Sequence, residues 1–213
     1  MLRVQIDQAG WPFIGVALAM AVAVAVFINW LAAMPFMVLA LLFLFFFRDP
    51  DRLAPPHDNV VLSPADGRVL VAGRAVADLS PEGSWQQVSI FLSPMDVHVN
   101  RIPASGRVTR VLFKAGRFLP AYRHDAGSAN ERSEIWIDHR GQTIVARQIV
   151  GILARRVVCR IGVGADVRAG DRFGIMKFGS RMDVFVPADA VITVSVGDFV
   201  RGGETVIAML HSQ

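Results

Sequence analysis

Cysteine, lysine and metal-ligand clusters are scarce in this sequence. Cys159 is the only cysteine, so no disulfide can form within the chain. It lies in the alternating stretch RRVVCRIGV, which is typical of a strand and favours a core residue over a nucleophile. No cysteine or histidine cluster has metal-ligand spacing, so no metal site is predicted. Only two of the 22 basic residues are lysines, which leaves arginine as the main cation of the chain.

Charge is absent from residues 11–47, a run of 37 residues. A membrane-spanning helix requires about 20 apolar residues, and one helix of this length would extend about 55 Å, well beyond a hydrocarbon core of about 30 Å. The polar pair Asn29-Trp30 near its middle therefore predicts two helices, over 11–28 and 31–47, that form a transmembrane hairpin. One span followed by an interfacial helix is the alternative.

Arginines flank the uncharged run on both sides, with Arg3 before it and Arg48 and Arg52 after it. Positive charge marks the cytoplasmic ends of membrane helices. Both ends of the hairpin are therefore predicted to face the cytoplasm, with the protein in the inner membrane and its soluble domain on the cytoplasmic side.

The rest of the chain has the pattern of a mostly β protein. Residues 48–59 are rich in proline and charge and are interpreted as a linker between a membrane anchor (1–47) and a soluble domain (60–213). From residue 60 onward, short alternating apolar runs are separated by Asp-Gly, Ala-Gly, Arg-Gly and Gly-Asp turns, and almost none has helical period. No segment indicates a nucleic-acid partner.

An internal repeat supports this fold class. Residues 163–176 and 194–210 share the order Val, Gly, Val, Gly and then an apolar strand, which predicts two related hairpins facing each other. The pattern is similar to the half-motifs of biotinyl and lipoyl carrier domains. We therefore expect a flattened β-sandwich of the barrel-sandwich kind.

Three stretches contain side chains suited to chemistry: SPADG (63–67), FLSPMDVHVNRIP (91–103) and KFGSRMDVF (177–185). Taken singly, each has an ordinary structural explanation, such as an Asp-Gly turn or a strand histidine. Together with FFRDPDR (46–52) and NER (130–132), and in this order, they resemble the short, membrane-anchored type of phosphatidylserine decarboxylase proenzyme.

The resemblance implies self-cleavage between Gly179 and Ser180. In that family the serine hydroxyl attacks the preceding carbonyl, and the amide becomes an ester. β-Elimination and hydrolysis, with loss of ammonia, then leave a pyruvoyl group in place of Ser180. This covalent group would be the only cofactor, and the mature protein would be a heterodimer of its own large and small chains, with further homo-oligomerisation left open.

The resemblance also implies the reaction and the roles of two further residues. Phosphatidylserine, an anionic phospholipid, would form a Schiff base with the pyruvoyl group and lose CO2 to give phosphatidylethanolamine. His98 would be the general acid that protonates the carbanion, and Asp66 would polarise the self-cleavage reaction. Imidazole, with an unperturbed pKa of about 6.5, suits proton transfer.

At one position the sequence departs from the longer family members. They have a second histidine three residues after the first, where this chain has Arg101. Two possibilities follow: His98 serves both self-cleavage and decarboxylation, or Ser180 is activated without a histidine base, by strain and by Asp66 through water.

Two other functions compete with the decarboxylase. A membrane-tethered biotinyl or lipoyl carrier, modified on Lys177, would account for the repeat. A structural β-domain without activity would account for the fold alone. Neither explains the combination of Asp66, His98 and the Gly179-Ser180 pair.

Overall fold

The structure is a computed structural model that describes residues 4–76, 79–123, 125–152, 157–177 and 180–211. The chain forms two compact units, Met1–Asp51 and Arg52–Gln213. The division falls inside the proline-rich segment 48–59.

The first unit is a pair of apolar helices, α1 (Trp11–Phe27) and α2 (Trp30–Phe46). The two helices predicted from the uncharged run are therefore present, with ends within one residue of the predicted ones. The turn between them is stabilised by Asn29, whose side-chain oxygen accepts a hydrogen bond of 2.8 Å from the Ala32 amide at the start of α2.

A 3-10 turn before α1 separates the two helices as membrane spans, because α1 and α2 have 17 residues each and the turn Gln8–Gly10 lengthens α1 to 20. By length and composition, Gln8–Phe27 is long and apolar enough to cross a bilayer. Trp30–Phe46 is equally apolar but has 17 residues, which extend about 25 Å against a hydrocarbon core of about 30 Å. The helical hairpin is thus a feature of the structure, and both membrane spans stay predictions.

The two ends of this unit are joined by a short antiparallel ladder. Strands β1 (Val4–Ile6) and β2 (Arg48–Pro50) pair with each other. The Asp7 amide also donates to the Phe47 carbonyl over 2.9 Å. The polar chain at either end of the apolar run is therefore held together.

The second unit confirms the prediction of a mostly β domain. One short helix, α3 (Ala126–Ala129), is described there. The strands are β3 (Val60–Leu62), β4 (Gly67–Arg74), β5 (Trp85–Leu92), β6 (Val99–Arg101), β7 (Gly106–Lys114), β8 (Arg132–His139), β9 (Gln142–Ile149), β10 (Val157–Cys159), β11 (Asp166–Val167), β12 (Arg172–Met176), β13 (Ser180–Pro187), β14 (Val191–Ile192), β15 (Phe199–Val200) and β16 (Val206–Met209).

An antiparallel sheet of eight strands forms the larger layer, in the order β11-β7-β8-β9-β13-β5-β4-β15. Two sheets of three strands, β10-β12-β6 and β14-β16-β3, supply the other layer. One row of paired residues crosses six strands of the large sheet near one edge: Lys114, Arg132, Ile149, Arg181, Phe91 and Arg68.

The hydrophobic core lies between these layers. Alternate residues of the large sheet, such as Ile90 on β5 and Val184 on β13, point into it. Phe173 of β12 and Ile207 of β16 enter the same core from the small sheets. The period-two pattern of the sequence thus gives the large sheet one mainly apolar face.

The internal repeat is visible in the structure and extends further than the sequence pattern. The turns 63–67 and 102–106 occupy matching positions, and β4 and β7 leave them in matching ways: β15 pairs with the start of β4, as β11 pairs with the start of β7. Two reciprocal main-chain bonds of 2.8 Å, from Leu62 to Pro103 and from Arg101 to Pro64, join the two turns. The domain is therefore built from two similar halves.

Candidate active site

The three stretches singled out in the sequence meet at one edge of the large sheet. Leu92, the last residue of β5, pairs with Ser180, the first residue of β13. On the other side of β5, Arg68 pairs with Phe91, so Gly67 lies beside Leu92, and Asp66 is the residue directly before Gly67. Two strand spacings separate the main chains at Asp66 and Ser180, about 10 Å.

Ser180 is completely buried, and its hydroxyl has no hydrogen-bond partner among the described residues. Leaving a buried hydroxyl unsatisfied costs about 1–3 kcal/mol. Nearly all buried polar groups in folded proteins are paired, so an exception of this kind requires an explanation. Reactivity of the Ser180 hydroxyl is such an explanation.

His98 is also completely buried, one residue before β6. Its Nδ1 lies 2.9 Å from the Asp96 carbonyl oxygen. A carbonyl only accepts, so Nδ1 carries the proton, and in the neutral ring Nε2 holds the lone pair. The structure therefore fixes the tautomer in which Nε2 is the nitrogen that can gain or give up a proton.

His98 and Ser180 belong to two segments, 92–98 and 176–180, that are hydrogen-bonded to each other at both ends. Ser180 pairs with Leu92 at one end, and the Met176 amide donates to the His98 carbonyl over 3.3 Å at the other. Only residues 177–179 separate Met176 from Ser180, a span of at most about 14 Å. The predicted cleavage bond lies in this connection, although Gly179 itself is outside the described residues.

Asp66 lies in the turn before β4, and both of its carboxylate oxygens are engaged. Oδ1 accepts a hydrogen bond of 2.7 Å from the Gly202 amide, and Oδ2 accepts one of 2.8 Å from the Arg52 guanidinium. Burial raises the pKa of the Asp66 carboxyl above its ordinary value, an effect that the Gly202 amide and Arg52 oppose. The following Gly67 has φ of +152°, and a Cβ there would lie 2.2 Å from the Phe91 carbonyl oxygen, so glycine is required.

Arg52 is a residue of this site that the sequence interpretation missed. Besides Asp66, it binds Glu204 over 2.9 Å, and its side chain is 10% exposed. Arg52 lies in FFRDPDR, a motif that carries the family resemblance, but nothing in its spacing indicates a partner 14 or 152 residues away.

Arg101, which takes the place of a second histidine, lies in the middle of the repeat. Its Nη1 donates to the Gly170 carbonyl over 3.0 Å. A Cβ on Gly203 would lie 2.8 Å from its Cδ, so the arginine stem packs on that glycine. Gly170 and Gly203 are equivalent positions of the two halves, and Arg101 therefore connects them.

The face of the sheet opposite the core carries buried charges next to the site. Arg181 donates to both oxygens of Asp183 over 2.6 and 3.1 Å and to the Ser89 hydroxyl over 3.0 Å. On the neighbouring strands, Glu134 accepts from Arg147 over 2.9 Å. Strand alternation predicts that Arg181 and Asp183 lie on the same face of the sheet. The sequence does not indicate that other parts of the chain bury this face.

Among the described residues, no group of three or more histidine, cysteine, aspartate or glutamate side chains is placed to hold a metal ion. Lys177, the residue a carrier would modify, is half-buried directly after β12.

Comparison with known proteins decides between the enzyme and its competitors. A family model described as phosphatidylserine decarboxylase matches residues 39–208. The chain belongs to the phosphatidylserine decarboxylase family. A phosphatidylserine decarboxylase proenzyme of Wolbachia pipientis wMel is 41% identical over 213 residues, covering 98% of this chain and 92% of that protein.

Two further relatives with the same name extend the comparison. The one from Nitrosomonas europaea is 39% identical over 207 residues, covering 97% of this chain and 95% of its own length. The one from Chlorobium phaeobacteroides is 47% identical over 169 residues, covering 79% of each chain. Family membership confirms the resemblance inferred from the motifs. The chain is thus an enzyme, a decarboxylase, which disfavours the carrier and structural alternatives.

Proposed function

We propose that this decarboxylase processes itself at Gly179-Ser180 and converts phosphatidylserine to phosphatidylethanolamine with release of CO2. The observation that carries the proposal is the buried Ser180 hydroxyl, which has no hydrogen-bond partner among the described residues and lies at the same sheet edge as Asp66. The mature protein would then consist of two chains, residues 1–179 and a small chain that begins at the former Ser180.

The surroundings of Ser180 fit a pyruvoyl group. Ser180 is fully enclosed, and a carbonyl in place of its hydroxyl would remove the unsatisfied donor. Such a group supplies an electrophilic carbonyl that takes up the substrate amine and withdraws electrons as the carboxylate leaves. Exclusion of water from this position would favour protonation of the carbanion by a protein group.

In this proposal His98 supplies that proton. Its Nδ1 is already committed to the Asp96 carbonyl, so Nε2 is the position that would carry the proton given to the carbanion. The hydrogen bond at Nδ1 also fixes the orientation of the ring. We place this role of His98 after self-cleavage, in the decarboxylation step.

Asp66 acts in self-cleavage, and Arg52 positions it. Both carboxylate oxygens of Asp66 are already engaged, and its main chain lies about 10 Å from that of Ser180. Its effect on the serine hydroxyl therefore passes through an intervening group. Arg52 holds the carboxylate in place and favours its charged form against the effect of burial.

Purified full-length protein, incubated with vesicles that contain phosphatidylserine, should give phosphatidylethanolamine. Mass spectrometry of the extracted lipid should show the loss of one CO2 per headgroup. A soluble amino acid such as free serine is the control substrate and should react far more slowly. Turnover of free serine with the lipid unchanged would contradict the proposed substrate.

The proposal also includes the orientation in the membrane. Because arginines flank the apolar run on both sides, α1 and α2 would both cross, and the decarboxylase unit would lie on the cytoplasmic side of the inner membrane. Reporter fusions at residue 5 and at the C-terminus should both give cytoplasmic signals. Opposite signals from the two fusions would mean a single span.

A further inference from the structure

The end of β7 and the loops at the edge of the sheet that holds Ser180 present apolar side chains to solvent. Exposed fractions are 66% for Met95, 64% for Phe113, 41% for Phe118, 63% for Tyr122 and 57% for Ile152. We call these five residues the apolar rim. Monomeric soluble domains seldom cluster exposed apolar residues in this way, and such clusters mark interaction surfaces.

The sheet register places the apolar rim around the candidate site. Phe113 is next to Lys114, which belongs to the same row of paired residues as Arg181. Met95 follows β5 by three residues, and Ile152 follows β9 by three residues, both at this edge. The Tyr122 ring packs edge-on against Phe91, with centroids 6.1 Å apart.

The segment that carries Phe118 and Tyr122 is fixed by hydrogen bonds to neighbouring segments. The Asn130 amide donates to the Leu119 and Val150 carbonyls, each over 2.8 Å, and its oxygen accepts from the Leu119 amide over 2.9 Å. Arg117 adds main-chain bonds of 2.8 Å to Ala129 and 3.0 Å to Glu131. The backbone that carries Phe118 and Tyr122 is therefore fixed in a position that exposes both aromatic side chains.

The charge beside the rim indicates its partner. Lys114 and Arg117 are exposed within the same segment, and Arg123 is paired with Asp125. Aromatic residues next to cations are typical of the interface between water and lipid headgroups. Tyr122, the only tyrosine of the chain, lies in this segment.

We propose that the apolar rim, with Lys114 and Arg117, is a membrane-contact surface through which the decarboxylase unit docks on a bilayer containing anionic lipid. This inference rests on the proposed function, because a lipid substrate has to reach the buried Ser180. Docking at this edge opens the site toward the headgroup layer, so the reacting headgroup leaves the bilayer while its acyl chains remain there.

The test uses the full-length protein in lipid nanodiscs, with Cys159→Ser removing the native thiol. A fluorophore is attached at Phe118→Cys, and at Val163→Cys as the control. Val163 is 66% exposed beside Val108, about 17 Å along β7 from Phe113. If Phe118→Cys does not fold, Tyr122→Cys takes its place.

Nitroxide-labelled lipids should quench the label at position 118 about twofold or more and leave the label at position 163 nearly unchanged. Removing anionic lipid should weaken the quenching at position 118. Equal quenching at both positions, or none at either, would overturn the proposal. The proposal would also be overturned if the label at position 118 were equally shielded from solvent in detergent and in nanodiscs. Shielding that does not depend on the bilayer would indicate that protein covers this position.

An activity measurement distinguishes failure of the docking surface from failure of the proposed function. In Phe118→Ser/Tyr122→Ser, activity on bilayer substrate divided by activity on a dispersed short-chain substrate should fall about tenfold or more. An unchanged ratio would overturn the docking surface alone. A wild type that processes neither substrate would overturn the proposed function, while the quenching experiment still decides the surface.

Discussion

Ser180→Ala is expected to remain one uncut chain without decarboxylase activity, whereas the wild type separates into two pieces under denaturing conditions. The alanine methyl cannot attack the Gly179 carbonyl, and no pyruvoyl group can form. Intact mass spectrometry and a lipid decarboxylation assay on the same preparation measure both effects. The small chain should contain residues 180–213 and carry a blocked N-terminus.

The control for this change is Ser195→Ala, which removes an exposed hydroxyl from a loop of the same unit. It should cleave and react like the wild type. Because the Ser180 hydroxyl has no partner among the described residues, its removal should cost little stability, and Ser180→Ala should fold normally. A wild type that is fully active as a single chain would refute self-processing.

His98→Ala and Asp66→Asn should fail at opposite stages. His98→Ala should cleave at residue 179 and then lose about 10²–10⁴ in decarboxylation rate, because the carbanion lacks its proton donor. Asp66→Asn should accumulate uncut chain, since its charge acts before the pyruvoyl group exists. Wild-type self-cleavage should also accelerate with increasing pH as the Asp66 carboxyl, whose pKa burial raises, loses its proton.

His139→Ala is a matched control for His98→Ala. His139 is also buried, and its Nδ1 also lies against a carbonyl, that of Ser105, at 2.6 Å. It should lose stability without separating cleavage from decarboxylation. Failure of His98→Ala to cleave would mean that one histidine serves both steps, the possibility that Arg101 left open.

Much of the fold follows from local pattern. Period-two alternation predicts the strands because neighbouring residues face opposite sides of a sheet, and the uncharged run predicts two helices whose turn Asn29 caps. Motif order identified the family. These features depend on residues close together in the chain, which a single sequence displays directly.

The remaining features depend on pairs distant in the chain. Arg52 reaches Asp66 and Glu204 because strands β3, β4 and β16 bring their loops together, which no local pattern encodes. Asn130 is part of the NER motif, but only the structure reveals its contacts with Leu119 and Val150. The roles of Ser180, His98 and Asp66 follow from resemblance, and the structure supplies their surroundings.

The two similar halves of the domain provide an internal reference for Asp66. Its counterpart in the second turn is Ser105, whose hydroxyl accepts a hydrogen bond of 3.0 Å from the Ala169 amide, as Asp66 accepts one from Gly202. A neutral acceptor with one oxygen is therefore sufficient to close a turn of this architecture. The negative charge of Asp66, and the arginine recruited to it, exceed what the scaffold requires, which marks one half of a near-symmetric pair as specialised.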